Sequence, residues 1–342
     1  MTTDTTQMRR EIREIPAAVE RLLSRGGDAI AATAAMVRDM NPPFLLSVAR
    51  GSSDHACTYL KYASELLLKR PMASVGPSVT SRYGVELDAH GTMCISISQS
   101  GQSPDIVQMT KALRKNGALT IAITNNPESC LACVVDRTLP MHAGPELSVA
   151  ATKTFVTSLV AGLWLIAELK GQAPLLSAIR TLPDHLEAAI RCDWSPAEDA
   201  IDDRSLLTLG RGPSRAVSNE AALKFKETCL IHAESYSSAE VLHGPVSIID
   251  HGFPVIAFAA GDAAEESVAE TADALANKGA RVFALSDRVR KATRLQHVRT
   301  DHWLTDPIAA IMSFYCMVEA LAVRRGIDPD APRHLSKVTE TV

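Results

Sequence analysis

Six consecutive small or amide residues, Ser98-Gln99-Ser100-Gly101-Gln102-Ser103, separate a short apolar stretch from a segment with helical periodicity. Backbone N–H groups, hydroxyls and amides can converge there on one point, and a helix N-terminus adds partial positive charge and unpaired donors. Gly101 allows the backbone to approach a ligand closely. The pattern suits a phosphate ester bound without a lysine. Spacing alone leaves open an ordinary polar turn in which Ser103 caps the helix.

The helix after this loop has clear start and stop signals over residues 104–116. Ser103 is a predicted N-cap, Pro104 stands at the first helical position, Asp105 lies in the first turn, and Gly117 follows the end. The loop is therefore predicted to lie between a strand and a helix N-terminus.

A second group of charged residues, Glu220, Lys224 and Glu227, has four- and three-residue spacing. On a helix this spacing puts all three side chains on one face. Spacing alone favours a solvated ladder of salt bridges.

Short runs rich in Val, Ile and Leu at 44–49, 93–97 and 119–124 alternate with helical segments, which predicts a parallel sheet with helices on both faces. A second series follows at 206–209, 254–259 and 282–285. Both series open with Arg-Gly-x-Ser at a strand end, within 47–53 and 208–214. We therefore predict an α/β fold made of two tandem, doubly wound, flavodoxin-like units. Ligands bind outside the carboxyl ends of such strands.

The composition narrows the possible partners. The chain has 342 residues and a formal net charge of -4, so it lacks the basic excess that nucleic acid or an anionic membrane surface would attract. The polar N-terminus lacks a secretory signal, which predicts a cytoplasmic protein. The apolar stretches 155–169 and 308–318 are too short to cross a bilayer and are predicted to be buried helices.

Seven scattered cysteines predict reduced, mostly buried thiols. Cys130 and Cys133 form a single CxxC pair with no second Cys/His pair nearby, so structural packing is favoured over zinc. Neither a metal nor a cofactor is expected.

Together the motifs resemble the sugar isomerase (SIS) domains, specifically the isomerase half of glucosamine-6-phosphate synthase and its shorter deaminase relatives. The resemblance spans nearly the whole chain and rests on residues 8–16, 98–103, 146–154, 220–227, 232–234, 243–245 and 332–337. It implies a helical segment at 1–28, a first SIS domain at 29–172, a second at 195–330 and a tail or lid at 331–342.

The resemblance also implies the residues that bind substrate. The sugar phosphate would be bound by Ser98, Gln99, Ser100 and Ser103, with Ser52 and Ser53 closing the pocket. The sugar hydroxyl side would be lined by Val149, Ala150 and Lys153.

Four catalytic roles follow from the same resemblance. Glu227 would move a proton between C1 and C2 of the open-chain sugar, and Lys224 would face the enolate oxygen. His243 would open the sugar ring, reaching the site of a neighbouring subunit and so implying a homodimer. Lys337 would form a Schiff base with the ketose carbonyl.

The full synthase carries a glutaminase domain, whereas this sequence starts at the helix that follows such a domain, so glutamine is not expected to be the direct nitrogen source. Three hypotheses result. The chain converts glucosamine 6-phosphate or a close analogue to fructose 6-phosphate and ammonia, runs that chemistry in the synthetic direction with free ammonia, or binds sugar phosphates without turnover.

Overall fold

The computed structural model describes residues 5–201 and 205–337, and within these ranges the chain forms twelve α-helices and ten β-strands. The helices are α1 Gln7–Arg13, α2 Ile15–Arg25, α3 Gly27–Met40, α4 Ser52–Ala63, α5 Ser78–Ser81, α6 Pro104–Lys115, α7 Lys153–Lys170, α8 Ala173–Ile190, α9 Ser195–Ala200, α10 Ser214–Cys229, α11 Glu265–Asn277 and α12 Asp306–Arg324. The strands are β1 Leu45–Val48, β2 Met72–Ser74, β3 Met93–Ile97, β4 Leu119–Thr124, β5 Arg137–Pro140, β6 Leu206–Gly210, β7 Ala233–Ser237, β8 Pro254–Phe258, β9 Arg281–Ala284 and β10 Thr293–Arg294.

The described residues divide into two compact units. The first unit contains residues 17–146, 153–180 and the tail from 335 to 337. The second unit contains residues 5–16, 147–152 and the described part of 181–334. Of the tail predicted at 331–342, residues 331–334 belong to the second unit, residues 335–337 belong to the first, and residues 338–342 lie outside the described residues.

The sheet of the first unit has the strand order β2-β1-β3-β4-β5, with every pair parallel. All residues of β1 and β3 are buried, as a strand covered by helices on both faces requires. Strands β3 and β4 lie at their predicted residues, 93–97 and 119–124.

The second unit repeats this arrangement with the order β7-β6-β8-β9-β10, again parallel. Strands β6 and β8 are buried throughout. Glycines with positive φ follow the first strand of each unit, Gly51 (φ 54) before α4 and Gly212 (φ 58) before α10. The predicted duplication of one doubly wound α/β unit is confirmed.

Aromatic packing anchors α12 in the core of the second unit. Phe314 contacts the rings of Trp194, Phe225 and Phe258, with centroid separations of 5.2 to 6.4 Å. Helix α12 has 19 residues and a mean hydropathy of 1.5, so it is long and apolar enough to span a membrane, but 89% of its most apolar window is buried inside the protein. The expectation that this stretch is too short was wrong because the helix extends beyond the apolar run, whereas the expectation that it is buried holds.

Helices α1, α2 and the start of α3 occupy the described part of the helical segment predicted at 1–28, and the two units divide within it, after Pro16. The CxxC cysteines are exposed rather than packed, since Cys130 and Cys133 lie in the loop after β4, where Leu131 between them is the buried residue. All seven cysteines are free, but only Cys57, Cys94 and Cys229 are buried, so the expectation of mostly buried thiols was wrong.

Close helix packing in the first unit gives a test of the fold. A Cβ added at Gly162 on α7 would overlap the side chain of Leu60 on α4. We expect Gly162→Ala to lower the free energy of unfolding by about 1–3 kcal/mol, because the helices must separate or Leu60 must leave its rotamer. Gly27→Ala is the matched control, since a Cβ there meets nothing closer than 3.9 Å. Equal unfolding midpoints for the two variants would contradict this packing.

Candidate functional site

A pocket of about 310 Å³ opens in the first unit, where β1 and β3 end. Its lining includes four predicted phosphate ligands, Ser98, Gln99, Ser100 and Ser103, together with Ser53, Arg50 and Lys337. The strand order reverses between β1 and β3, which is where an open α/β sheet forms its ligand crevice.

Two serines organise the loop between β3 and α6. Ser98 Oγ accepts a hydrogen bond from the backbone N–H of Gly101 at 3.1 Å, and Ser100 Oγ accepts one from Gln102 N–H at 3.2 Å. Gly101 has a φ of 63°, and a Cβ there would overlap the side chain of Ser129. The turn therefore requires glycine for its conformation and for its space.

Ser103 occupies the N-cap position of α6, with Pro104 at the first helical position, as predicted. Its hydroxyl nevertheless makes no capping hydrogen bond. The simple helix-cap alternative for this serine is thus not what the geometry shows. The hydroxyl lines the pocket and remains available to a ligand at the positive end of a 12-residue helix.

Lys337 lies at the same pocket, with Nζ 2.9 Å from Glu146 Oε2. Glu146 is fully buried, and its two oxygens also accept hydrogen bonds from the N–H and hydroxyl of Thr154 in the first turn of α7. Burial alone would raise the pKa of Glu146, but Lys337 and Thr154 outweigh it and hold that pKa below its usual range. The carboxylate is therefore charged and binds the tail amine at the pocket.

A buried ion-pair cluster lies on α10 in the second unit. Lys224 is fully buried and pairs with Glu220 at 3.2 Å and with Glu227, whose side chain is 21% exposed. Burial would lower the pKa of Lys224, but the two carboxylates raise it above its ordinary value. The amine therefore stays cationic, and Glu227 is the carboxylate that remains accessible. This cluster is buried, unlike the solvated ladder that spacing alone favoured.

The hydroxyl of Tyr315 on α12 donates to Glu220 Oε1 at 3.2 Å. This bond fixes the buried end of the cluster, because Glu220 then faces both a cation and a neutral donor. No feature of the sequence pointed to Tyr315.

His243 follows a short 3₁₀ turn in the second unit and is exposed. Its backbone N–H donates to Glu240 O at 2.9 Å, and Gly244 beyond it has a φ of 130°. Within the described residues the imidazole has no hydrogen-bond partner. An exposed ring of this kind can meet a second molecule.

The remaining predicted ligands are placed differently. Ser52 begins α4 and does not line the pocket, whereas Ser53 does. Lys153 is buried in the first unit, where Nζ donates to Pro145 O at 2.6 Å. Val149 and Ala150 belong to the second unit, and Val149 N–H donates to Asp330 O at 3.4 Å. The structure thus assigns Lys153 a structural hydrogen bond, and the sugar-binding roles of these four residues remain predictions.

Sequence reasoning missed Arg50 and Glu146, although each lies in a motif that it used. Arg50 was treated only as part of a strand-end repeat, and Glu146 only as the first residue of 146–154. For Arg50 the available signal was a charged residue beside a small-residue turn at a strand end.

Removing the buried Lys224 amine should destabilise the second unit. We expect Lys224→Met to lower the free energy of unfolding by about 3–5 kcal/mol, because Glu220 would be left as an unpaired buried charge. Lys226→Met is the control on the same helix, at an exposed position. Urea denaturation of both variants measures the difference, and similar losses would show that the buried pair does not stabilise the fold.

The Glu146 carboxylate should make stability pH-dependent. A lowered folded-state pKa contributes stability above the unfolded value of about 4.5, and that contribution is lost as the pH falls through the folded pKa. We expect the stability difference between wild type and Glu146→Gln to be largest near pH 7 and to shrink in acid. Denaturation at several pH values tests this, with exposed Glu20→Gln as control; a constant difference would contradict it.

Comparison with known proteins gives the family. The SIS domain model matches residues 45–168 and 201–324. Glutamine–fructose-6-phosphate aminotransferase of Thermococcus kodakarensis is 34% identical across 96% of this chain, and the match covers 57% of that relative. The chain thus spans little more than half the length of this curated relative.

Solved structures agree with the fold. A candidate phosphosugar isomerase from Silicibacter pomeroyi DSS-3 is 60% identical, with a TM-score of 0.93, over 95% of this chain and 100% of that one. A glucosamine-6-phosphate deaminase from Thermotoga maritima shares the fold at 21% identity, with a TM-score of 0.78, over 98% of this chain and 100% of that one. With two matched regions on two duplicated α/β units, the chain belongs to the SIS domain family.

Proposed function

We propose that this chain is an aminosugar-phosphate isomerase and deaminase, converting glucosamine 6-phosphate or a close analogue and water to fructose 6-phosphate and ammonia. One observation carries the proposal. The loop of residues 98–103, called the Ser98 loop below, and the Lys337 amine share one pocket in the first unit. A phosphate cradle beside a primary amine suits a phosphorylated sugar that reacts through its carbonyl carbon.

In the proposed mechanism His243 moves a proton from the anomeric hydroxyl to the ring oxygen, which opens the ring. Glu227 removes the proton from C2 and returns one to C1, while the Lys224 cation stabilises the negative charge that develops on O1. The amino group on C2 becomes an imine and loses one proton, and O1 takes up one proton to form the C1 hydroxyl. Lys337 displaces it as ammonia, and water then hydrolyses the lysine imine to release the ketose and regenerate the amine.

The buried cluster supports these roles through its charge state. Because Glu220 and Glu227 keep Lys224 protonated, the cation is in place before any oxyanion forms. The partial exposure of Glu227 gives a substrate carbon access to one carboxylate of the cluster. The exposed His243 fits a homodimer in which each copy supplies this ring to the other.

The synthetic direction, from fructose 6-phosphate and free ammonia, is the second candidate. It is favoured by the 34% identity to a curated aminotransferase over nearly the whole of this chain. The same residues serve both directions, since each proton transfer is reversible.

Turnover should depend on Glu227 and binding on Ser100. With glucosamine 6-phosphate as substrate, we expect ammonia and fructose 6-phosphate to form in equal amounts. Glu227→Gln should lower kcat by roughly 10²- to 10⁴-fold, because the base is lost. Ser100→Ala should mainly raise KM, by roughly tenfold, because a bond to a charged phosphate is made in ground and transition states alike.

Glu266→Gln, an exposed carboxylate in the same unit, is the control and should leave both constants unchanged. The protein could instead bind sugar phosphates and form no product, either from glucosamine 6-phosphate or from fructose 6-phosphate with ammonia. That result would overturn the enzyme proposal in favour of a sugar-phosphate sensor. An unchanged rate for Glu227→Gln would remove Glu227 from the role of base.

A further inference from the structure

Arg50 lies in the Arg-Gly turn after β1 and lines the same pocket as the Ser98 loop. Its side chain is 48% exposed, so it is neither a core residue nor fully solvated. Apart from Lys337, which is paired with Glu146, Arg50 is the charged side chain in this pocket lining.

The guanidinium is held by one end. Arg50 Nε donates to Asp105 Oδ2 at 2.6 Å, and the Asp105 side chain is 1% exposed. Asp105 is itself fixed in the first turn of α6, where Oδ1 accepts from the N–H of Ile106 at 2.8 Å. The buried Asp105 carboxylate is therefore a fixed acceptor that sets the position of the Arg50 side chain.

The two terminal amino groups of Arg50 are left available to a ligand. Across residues 5–201 and 205–337, neither terminal amino group of Arg50 has a hydrogen-bond or ion-pair partner. An arginine that serves only as a structural partner for a carboxylate commonly uses two parallel N–H bonds. Here Nε alone is used, which leaves two donors of a planar fork for a second anion.

We propose that Arg50 is a phosphate-binding residue, whose two terminal amino groups bind two oxygens of the substrate phosphate while Asp105 holds Nε. The inference rests on the proposed function, since it takes the Ser98 loop to be the phosphate cradle. Serine hydroxyls and helix N–H groups would then bind one side of the phosphate, and a full positive charge would bind the other. This arrangement favours a dianionic phosphate ester over a monoanionic ester of the same shape.

The tandem repeat supplies a matched control. Arg211 occupies the equivalent position after β6, is exposed, and has Nη1 3.4 Å from Ser267 Oγ on α11. The loop after β8 reads Ala259-Ala260-Gly261-Asp262, with a carboxylate in place of the hydroxyls of the Ser98 loop. Arg211 therefore has the same local sequence context as Arg50 without a phosphate cradle beside it.

Calorimetric titration with glucitol 6-phosphate measures binding without turnover, because this linear sugar alcohol has no carbonyl group. Arg50→Gln should weaken binding by roughly 10- to 100-fold, the range expected for hydrogen bonds to a charged group. Arg50→Lys should recover part of the loss, since it restores charge but not the two-pronged geometry. Arg211→Gln should bind within about twofold of wild type, as surface substitutions usually change little.

A second arm uses the monoanionic sulfate ester of the same sugar alcohol. Wild type should prefer the phosphate ester, and Arg50→Gln should lose most of that preference. In turnover assays Arg50→Gln should raise KM with kcat nearly unchanged. Melting temperatures of all variants verify folding, and Arg50→Lys keeps the test valid if the glutamine variant is unstable.

The outcomes separate the two proposals. If wild type binds glucitol 6-phosphate and both Arg50 variants bind it equally well, Arg50 is not a phosphate ligand and the proposed function stands. If Arg50→Gln weakens binding but wild type turns over no sugar phosphate, the binding role stands and the enzyme proposal fails. If wild type binds neither glucitol 6-phosphate nor glucosamine 6-phosphate, both proposals fail.

Discussion

The reversal of strand order between β1 and β3 is the constraint on which the pocket depends. In a parallel sheet of order β2-β1-β3-β4-β5, the connections on the two sides of that point run to opposite faces, so the loops after β1 and β3 separate and leave a crevice. The Arg50–Ser53 turn and the Ser98 loop are the segments that border it. Neither loop could form the pocket alone, because each contributes donors to one wall.

The second unit has the same reversal between β6 and β8, but the groups found there are different. Gly261 N–H donates to Asp306 Oδ2 at 2.8 Å, and Arg299 Nη2 lies 2.6 Å from Glu265 Oε1. Carboxylates of the chain thus satisfy a backbone donor and a cation near this crevice. Burial raises the pKa of Asp262 in the same loop, and the carboxylates of Asp306 and Glu265 raise it further. One duplicated backbone has therefore diverged into an open polar pocket in one unit and an internally neutralised crevice in the other.

Local signals in the sequence were sufficient to predict the central strands of the first unit and the Ser98 loop. Strands β3 and β4 were predicted to the residue because each is a short run rich in apolar residues that is bounded by turn residues, which favours a buried strand over a helix. The Ser98 loop was identified because its composition is unusual over six positions. Arg50 was not assigned to the pocket, because its direction depends on the positive φ of Gly51 and on Asp105, which is 55 positions away. The exposure of Cys130 also could not be predicted from composition.

Charge burial imposes the other limit on prediction. Spacing on α10 places Glu220, Lys224 and Glu227 on one face, but it cannot tell whether that face points to water or to the core. Burial follows from α12, whose aromatic side packs against the same helix and whose Tyr315 reaches Glu220. A lysine enclosed in this way stays a cation only because the two carboxylates beside it offset the several kcal/mol that removing its charge from water costs. Packing from a distant helix thus converts an ordinary surface pattern into a fixed charge.

Lys337 in the tail has the opposite requirement to Lys224, because it must lose its proton before it can react as a nucleophile. Paired with Glu146 at 2.9 Å, Lys337 is an ammonium without a lone pair, and an ammonium cannot attack a carbonyl. If Lys337 forms an imine, substrate must first draw it away from Glu146 and give its proton another acceptor.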